Sequence, residues 1–241
     1  MENSFTFEHV QSLRGYLDTL EVVPSIPAVK TVVMLHGYGA NAADLFPLFE
    51  VLGIQNNKPL PIHWVFPNAP IELNPRMFGP GRAWFELDIE RLQKEMAKKD
   101  PSELNLAAPV GIKPTRRHLD ELIGLLLEKC TLDQLFLGGF SQGSMMALDA
   151  VMRRDDNIGG LALLSTGAFD ATEWEKRAPL HAGQRYFQSH GQQDSILAFG
   201  SAQRVNKILQ KAGWRGSLQP FVGGHEIPPK TLVQLNQFLI A

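Results

Sequence analysis

The chain has 241 residues, of which 44% are hydrophobic and 20% charged, and its formal net charge at pH 7 is −2. This composition is typical of a globular protein with a substantial core, and the charge gives no reason to expect nucleic acid or a strongly anionic membrane as a partner. No apolar run reaches membrane-spanning length, and the N-terminus lacks the pattern of a signal peptide. Because Cys130 is the only cysteine, we expect no internal disulfide and a cytoplasmic protein.

The N-terminal part of the chain predicts an edge hairpin followed by buried strands. Residues 5–10 and 16–23 have the composition of two antiparallel strands around Leu13-Arg14-Gly15. The apolar run at 31–35 predicts a central strand buried on both faces, as parallel strands are, and residues 62–66 predict the next strand.

The middle of the chain contains the most polar stretch. Residues 90–100 are mostly charged, and residues 101–114 mix turn formers with small side chains. We therefore predict a single domain over 1–241 in which residues 86–113 form an insertion or a flap.

The second half of the chain alternates helices with strands. Residues 115–129, preceded by Pro114, carry leucine and isoleucine at the spacing of a helix that lies on a sheet. Later strands are predicted at 134–137, 161–164, 185–189 and 217–222, and later helices after 143, at 199–212 and after 228. This alternation predicts an α/β fold, with a mostly parallel sheet, helices on both faces and an antiparallel N-terminal hairpin.

A glycine-rich pentapeptide, Gly139-Phe140-Ser141-Gln142-Gly143, lies where a strand passes into a helix. This G-x-S-x-G pattern is the nucleophile elbow of α/β-hydrolases. The turn is strained and crowded, so glycine is needed two positions before and after the serine, where a Cβ would collide with the strand or the helix. Ser141 is therefore the candidate nucleophile.

The other two members of a catalytic triad are predicted at later strand ends, in the order serine, acid, histidine that this fold uses. His225 follows the last strand and is the candidate general base, which accepts the serine proton and later returns it. Asp194 is the candidate acid that orients the imidazole and stabilises its cationic form. Asp170 also follows a strand and is a rival acid, although His190-Gly191-x-x-Asp194 closes a tighter turn.

Attack on an acyl carbonyl creates an oxyanion that needs hydrogen-bond donors. The candidate donors are the backbone amides of Gln142, at a helix N-terminus, and of Tyr38, in the glycine-flanked loop after the first parallel strand. His36 fits a residue that supports this loop rather than one that performs chemistry. A final set of apolar residues either lines an acyl pocket or belongs to the core, namely Phe78, Trp84, Phe85 and Leu197.

The motifs together resemble the phospholipase/carboxylesterase family, which includes acyl-protein thioesterases and bacterial carboxylesterases. They occur in the family's order from about residue 31 onward: Leu35-His36-Gly37-Tyr38-Gly39 with Asp44, Phe66-Pro67-Asn68-Ala69-Pro70, Trp84-Phe85, Gly139-Phe140-Ser141-Gln142-Gly143, His190-Gly191-Gln192-Gln193-Asp194 and Gly224-His225. The resemblance implies an α/β-hydrolase with a Ser141, Asp194, His225 triad and an oxyanion hole at Tyr38 and Gln142. It also implies hydrolysis of carboxylic esters or thioesters without a metal or organic cofactor, and frequent dimer formation.

The chain departs from the family pattern at positions that concern the substrate more than the reaction. Tyr38 stands where leucine is usual, Ser144 replaces a common glycine, and Leu197-Ala198-Phe199 replaces a Val-Pro pattern in the acyl-pocket wall. We expect a serine esterase that acts on medium or long acyl groups, including lysophospholipids or acyl thioesters, so that its substrate is a small-molecule or lipid acyl ester. Two alternatives stay open: a dienelactone-hydrolase-like enzyme, although that class typically uses cysteine, and a catalytically silent binding module.

Overall fold

The computed structural model of the protein describes residues 5–87, 108–109 and 111–241. The strands of this part, numbered in chain order, are β1 Phe7–Arg14, β2 Leu17–Pro24, β3 Lys30–Leu35, β4 Ile54–Gln55, β5 Lys58–Pro59, β6 Ile62–Pro67, β7 Ile71–Glu72, β8 Arg82–Ala83, β9 Leu135–Phe140, β10 Gly160–Leu164, β11 Tyr186–Gly191 and β12 Leu218–Phe221. Its α-helices are α1 Ala42–Leu45, α2 Leu48–Val51, α3 Pro75–Phe78, α4 Ile112–Leu127, α5 Gln142–Met152, α6 Ala171–Arg177, α7 Phe199–Lys211 and α8 Pro229–Ile240.

Eight of these strands form one sheet in the order β1-β2-β6-β3-β9-β10-β11-β12. Strand β2 pairs antiparallel with both β1 and β6, and the pairings from β6 through β3 and β9 to β12 are parallel. The predicted α/β fold, with a mostly parallel sheet and an antiparallel N-terminal hairpin, is confirmed.

The central strands of the sheet are buried on both faces, and strand β3 shows why such a strand is apolar throughout. Val33 and Leu35 belong to the core beneath α4 and α5, whereas Val32 and Met34 belong to the core beneath α8. Alternate side chains of a strand point to opposite faces, so a strand covered on both sides needs apolar residues at every position.

The N-terminal hairpin is tighter than the sequence predicts. The strands extend to Arg14 and from Leu17, so only Gly15 and Tyr16 form the turn, and residues 11–13 belong to β1. Gly15 has φ +61°, a conformation that glycine adopts without steric cost and that two-residue hairpin turns favour.

Strand β9 is longer than the predicted 134–137 and continues through Gly138, Gly139 and Phe140. Gly138 is therefore not part of a turn. A Cβ on Gly138 would lie 2.8 Å from the sulfur of Met34 and 2.9 Å from Cβ of Ala162, so glycine is required here by close packing within the sheet.

Helix α4 begins at Ile112, earlier than predicted, and Pro114 is its third residue. Proline is tolerated there because the first four amides of a helix have no intrahelical acceptor. The helix start overlaps the predicted insertion at 86–113. Residues 88–107 and 110 lie outside the described residues, so the insertion or flap stays a prediction.

Candidate active site

Ser141 occupies a strained turn between β9 and α5, with φ 54° and ψ −120°. The crowding around it matches the reason given for the glycines. A Cβ on Gly139 would lie 2.5 Å from the carbonyl carbon of Gly143, and a Cβ on Gly143 would lie 2.0 Å from the carbonyl oxygen of Leu35. The turn brings the serine to the carboxyl edge of the parallel strands.

Asp194 and His225 meet at the same edge. Asp194 follows β11, His225 follows β12, and Nδ1 of His225 donates a hydrogen bond of 2.7 Å to Oδ2 of Asp194. The other carboxylate oxygen, Oδ1, accepts the backbone amides of Ile196 and Leu197, each at 2.8 Å. The carboxylate is thus held on both oxygens in a single orientation.

The pKa of Asp194 is well below its usual range. Burial alone would raise this pKa, but the hydrogen bonds from His190, His225 and the Leu197 amide stabilise the carboxylate more strongly and lower it. The acid is therefore ionised over the whole range in which a histidine base titrates.

His190 is a second imidazole on the same carboxylate, and the sequence analysis assigned it no role of its own. It is fully buried, and its Nε2 lies 2.7 Å from the carbonyl oxygen of Leu197 and 3.2 Å from Oδ2 of Asp194. Both neighbours are acceptors, so the proton of a neutral His190 resides on Nε2. The H-G-x-x-D spacing was the available signal, because it makes histidine and aspartate flank one turn.

Asp170, the rival acid, lies elsewhere. Its Oδ2 is 3.9 Å from the guanidinium of Arg116, and it occupies the N-cap of α6 with φ 54°. The imidazole of His225 is hydrogen-bonded to Asp194 instead.

The loop after β12 folds back toward the serine, although two strands, β10 and β11, separate β9 from β12 in the sheet. The ring of His225 lies 4.7 Å, between centroids, from the ring of Phe140, which immediately precedes Ser141. The next residue, Glu226, accepts a hydrogen bond of 3.4 Å at its carbonyl oxygen from the hydroxyl of Ser165. These contacts place the imidazole beside the elbow.

The loop after β3 is held by β8. The amide of Gly39 donates to the carbonyl of Arg82 at 3.0 Å, and the amide of Arg82 donates to the carbonyl of Ala40 at 2.7 Å. The amide of Ala40 donates to the carbonyl of Gly37 at 3.3 Å. Tyr38 lies in the middle of this fixed loop.

Gln142 is the first residue of α5, a position at which the amide has no intrahelical acceptor.

His36 holds the loop after β3 through hydrogen bonds of both ring nitrogens. Its Nε2 accepts the amide of Ala69 at 3.1 Å, so Nδ1 carries the proton and donates to the carbonyl of Gly37 at 2.8 Å. Burial lowers the pKa of His36 to about 4, since the neutral ring is the form that fits this environment.

The four candidate pocket residues fall into two groups. Trp84 and Phe85 are buried in the core, and the indole N–H of Trp84 donates to the carbonyl of His36 at 2.9 Å. Of the two interpretations left open by the sequence, the core one describes this pair. Phe78 and Leu197 are half-buried; Phe78 packs edge-to-face on Tyr38 with ring centroids 5.7 Å apart.

The described part of the chain contains neither a metal cluster nor a membrane-spanning helix. Across 5–87, 108–109 and 111–241, no group of three or more His, Cys, Asp or Glu side chains is arranged to hold a metal ion. Within the same ranges, every helix is too short or too polar to cross a membrane.

A serine raised on a strand-to-helix turn at the carboxyl edge of a parallel sheet is the arrangement that distinguishes the α/β-hydrolases, and this protein is one of them. The model of the phospholipase/carboxylesterase family matches residues 18–241, and the chain belongs to that family. The resemblance predicted from the motifs is thereby confirmed, as is the expected class of activity, hydrolysis of carboxylic esters or thioesters.

Relatives of the chain include proteins named acyl-protein thioesterase and proteins named carboxylesterase. The chain is 27% identical over 205 residues to acyl-protein thioesterase 1 of Cryptococcus neoformans, which covers 83% of this chain and 81% of that protein. It is also 27% identical over 224 residues to a probable carboxylesterase, SOBER1-like, of Arabidopsis thaliana, covering 86% of this chain and 77% of the relative. The crystal structure of esterase PE8 superposes with a TM-score of 0.72 at 22% identity, covering 98% of both chains.

Proposed function

We propose that the protein is a serine carboxylesterase or acyl thioesterase that forms an acyl-enzyme on Ser141. The observation that carries this proposal is the 2.7 Å hydrogen bond between Asp194 and His225. The ring of the same histidine packs on Phe140, the residue before Ser141. A carboxylate and an imidazole paired beside a half-buried serine form the group that activates a hydroxyl for acyl transfer.

The reaction follows from the hydrogen bonds. Because Nδ1 of His225 donates to Asp194, its Nε2 is the basic nitrogen and takes the proton of Ser141 as the hydroxyl attacks the acyl carbonyl. His225 then gives this proton to the leaving alkoxide or thiolate. A water molecule, deprotonated by His225 in the same way, attacks the acyl-enzyme, and His225 returns the proton to the Ser141 oxygen as the acyl group leaves as a carboxylic acid. The ionised Asp194 stabilises the imidazolium formed in each step.

The amides of Tyr38 and Gln142 are the proposed donors to the oxyanion. The amides of Gly39 and Ala40 already donate to the carbonyls of Arg82 and Gly37, so neither of these two is free to bind an oxyanion, and Tyr38 is the proposed donor from this loop. Each positioned donor of this kind contributes about 10²- to 10³-fold in rate.

The substrate side of the proposal is an ester or thioester of a medium or long acyl group. Half-buried Phe78 and Leu197 are the proposed apolar contacts, together with Tyr38. The names of the relatives, acyl-protein thioesterase and carboxylesterase, support both leaving groups. A cytoplasmic location, which the single cysteine favours, and a homodimer belong to the same proposal.

Labelling with a fluorophosphonate tests the nucleophile. We expect the wild type to be labelled at Ser141 and Ser141→Ala to be unlabelled, while Ser195→Ala, which removes an exposed serine next to Asp194, is labelled normally. Hydrolysis of p-nitrophenyl esters of increasing chain length and of an acyl-CoA thioester then defines the substrate. Folded wild-type protein without label would favour a silent binding module, and activity confined to acetyl esters would contradict the preference for longer chains.

A further inference from the structure

The side chain of Gln142 makes contacts that its backbone role does not require. It is buried, its Oε1 accepts the amide of Trp84 at 2.8 Å, and its Nε2 donates to the carbonyl of Phe85 at 2.7 Å. One carboxamide thus satisfies the amide of Trp84 and the carbonyl of the next residue, Phe85, at the same time.

Trp84 and Phe85, which the Gln142 side chain binds, directly follow β8, and β8 binds the loop that carries Tyr38. Arg82 exchanges backbone hydrogen bonds with Gly39 and Ala40, and the indole of Trp84 donates to the carbonyl of His36. From the other side, the hydroxyl of Thr115 in α4 donates to the carbonyl of Trp84 at 2.8 Å. Residues 82–85 are therefore hydrogen-bonded both to the elbow and to the loop after β3, two segments that also touch directly where Gly143 packs on the carbonyl of Leu35.

We propose that the Gln142 side chain is a positioning residue that sets the separation of the two oxyanion donors, the amides of Tyr38 and Gln142; this rests on the proposed function. The two amides belong to loops that are far apart in sequence. Residues 82–85 are hydrogen-bonded to both, and the Gln142 carboxamide is what joins them to the elbow. Donors act on an oxyanion only within a few tenths of an ångström, and a displacement of about 1 Å costs on the order of 10² in rate.

The two hydrogen bonds specify the chemistry of the side chain. Position 142 needs an acceptor toward the Trp84 amide and a donor toward the Phe85 carbonyl. A glutamate of the same length meets both requirements when protonated, because its carboxyl then has one carbonyl and one hydroxyl. When ionised it has only acceptors, and one oxygen faces the Phe85 carbonyl.

The Q142E variant turns this difference into a pH-dependent test. Burial and the facing carbonyl raise the pKa of the introduced carboxyl well above its usual ~4.3. We expect kcat for a p-nitrophenyl ester at pH 8 to fall about 10- to 100-fold relative to the wild type. As the pH is lowered to 5.5, the ratio of mutant to wild-type kcat should rise at least severalfold, with KM within about threefold throughout. Taking the ratio at each pH removes every pH effect that the two proteins share.

Two further variants complete the test. Gln142→Met keeps the length without hydrogen bonds, so its kcat should be reduced by a similar factor at every pH. Gln184→Glu is the matched control, because Gln184 is also buried and its carboxamide also makes two hydrogen bonds to the backbone. Its Oε1 accepts the amide of Ile158 at 2.9 Å, and its Nε2 donates to the carbonyl of Ile158 at 3.1 Å. Gln184 precedes β11, at the edge of the sheet opposite Asp194, so its variant should lose stability but keep the wild-type kcat profile.

The outcomes separate the two proposals. A kcat of Gln142→Met within threefold of the wild type, or a Q142E ratio that does not change with pH in folded protein, overturns the role of Gln142 alone. If Q142E does not fold, the kcat of Gln142→Met decides. A wild-type protein without hydrolysis dependent on Ser141 overturns the proposed function, and the role of Gln142 with it.

Discussion

Nδ1 of His225 lies 2.7 Å from Oδ2 of Asp194, although 31 positions separate the two residues along the chain. This pairing fixes the tautomer of the imidazole and leaves Nε2 as the basic nitrogen. It also distinguishes Asp194 from Asp170, which is paired with Arg116 at 3.9 Å.

The first prediction concerns this acid. Asp194→Asn replaces a carboxylate that accepts the Nδ1–H by an amide, which favours the wrong tautomer and does not stabilise the imidazolium. We expect kcat to fall about 10³- to 10⁴-fold with the fold retained. Asp170→Asn is the control, because asparagine tolerates the φ of 54° at that position, and it should keep kcat within about threefold. The reverse ranking of the two variants would assign the acid to Asp170.

The second prediction concerns the elbow glycine. Gly143→Ala places a Cβ 2.0 Å from the carbonyl oxygen of Leu35, where neither backbone has room to move. We expect a loss of at least ~3 kcal/mol in the free energy of unfolding, measured by urea denaturation. Gly124→Ala, on an exposed part of α4 with nothing within 4 Å of the new Cβ, should instead stabilise by about 0.5–1 kcal/mol. A Gly143→Ala protein as stable as the wild type would contradict the packing account of the motif.

The third prediction is a pH dependence that arises from His36. Its pKa is lowered from 6.5 to about 4 in the folded protein, so between these values the unfolded chain binds a proton that the folded chain does not. Stability should therefore fall as the pH decreases from 6.5 to 4, by about 3 kcal/mol in total. His36→Asn should be less stable at neutral pH but lack this part of the slope. His9→Gln, which removes an exposed imidazole, is the control and should keep the wild-type slope.

The fourth prediction concerns the buried carboxylate of Glu21 on β2. Burial would raise its pKa, but the hydrogen bonds from His63, Arg14 and Thr19 lower it well below its usual value. A lowered pKa means that the contribution is present above the unfolded value of 4.5 and is lost as the pH falls below it.

Glu21→Gln keeps the shape of the side chain but removes its charge. We expect a loss of about 1.5–3 kcal/mol at pH 7, since hydrogen bonds to a charged group are removed. The difference from the wild type should shrink below pH 4.5, as measured by chemical denaturation at a series of pH values. A difference that stays constant down to pH 2 would show that the charge of Glu21 does not stabilise the fold.

Much of the fold was predictable because it depends on local patterns. The apolar run of β3 predicts burial on both faces, and the alternation of strands and helices predicts the parallel sheet. The extent of β9 was not predictable, because Gly138 and Gly139 read as a turn until the neighbouring Met34 and Ala162 are known to pack against the strand.

The candidate site divides in the same way. Ser141, Asp194 and His225 were named from their positions at strand ends, and the structure places the two later residues in contact. The choice between core and pocket for Trp84 and Phe85 was open, because aromatic residues have the same composition signal in both places. His190 was missed because the H-G-x-x-D spacing shows that it shares a turn with Asp194 but not that its ring contacts the carboxylate.

The sequence by itself determined the kind of chemistry, since G-x-S-x-G is imposed by local steric crowding and the order of serine, acid and histidine follows from the chain. Only the tertiary structure decided how the site is held: which carboxylate meets the imidazole, and that Gln142 bonds to Trp84, 58 positions away. These contacts join segments that are distant in the chain, and their geometry depends on the packing of the whole sheet rather than on any local preference.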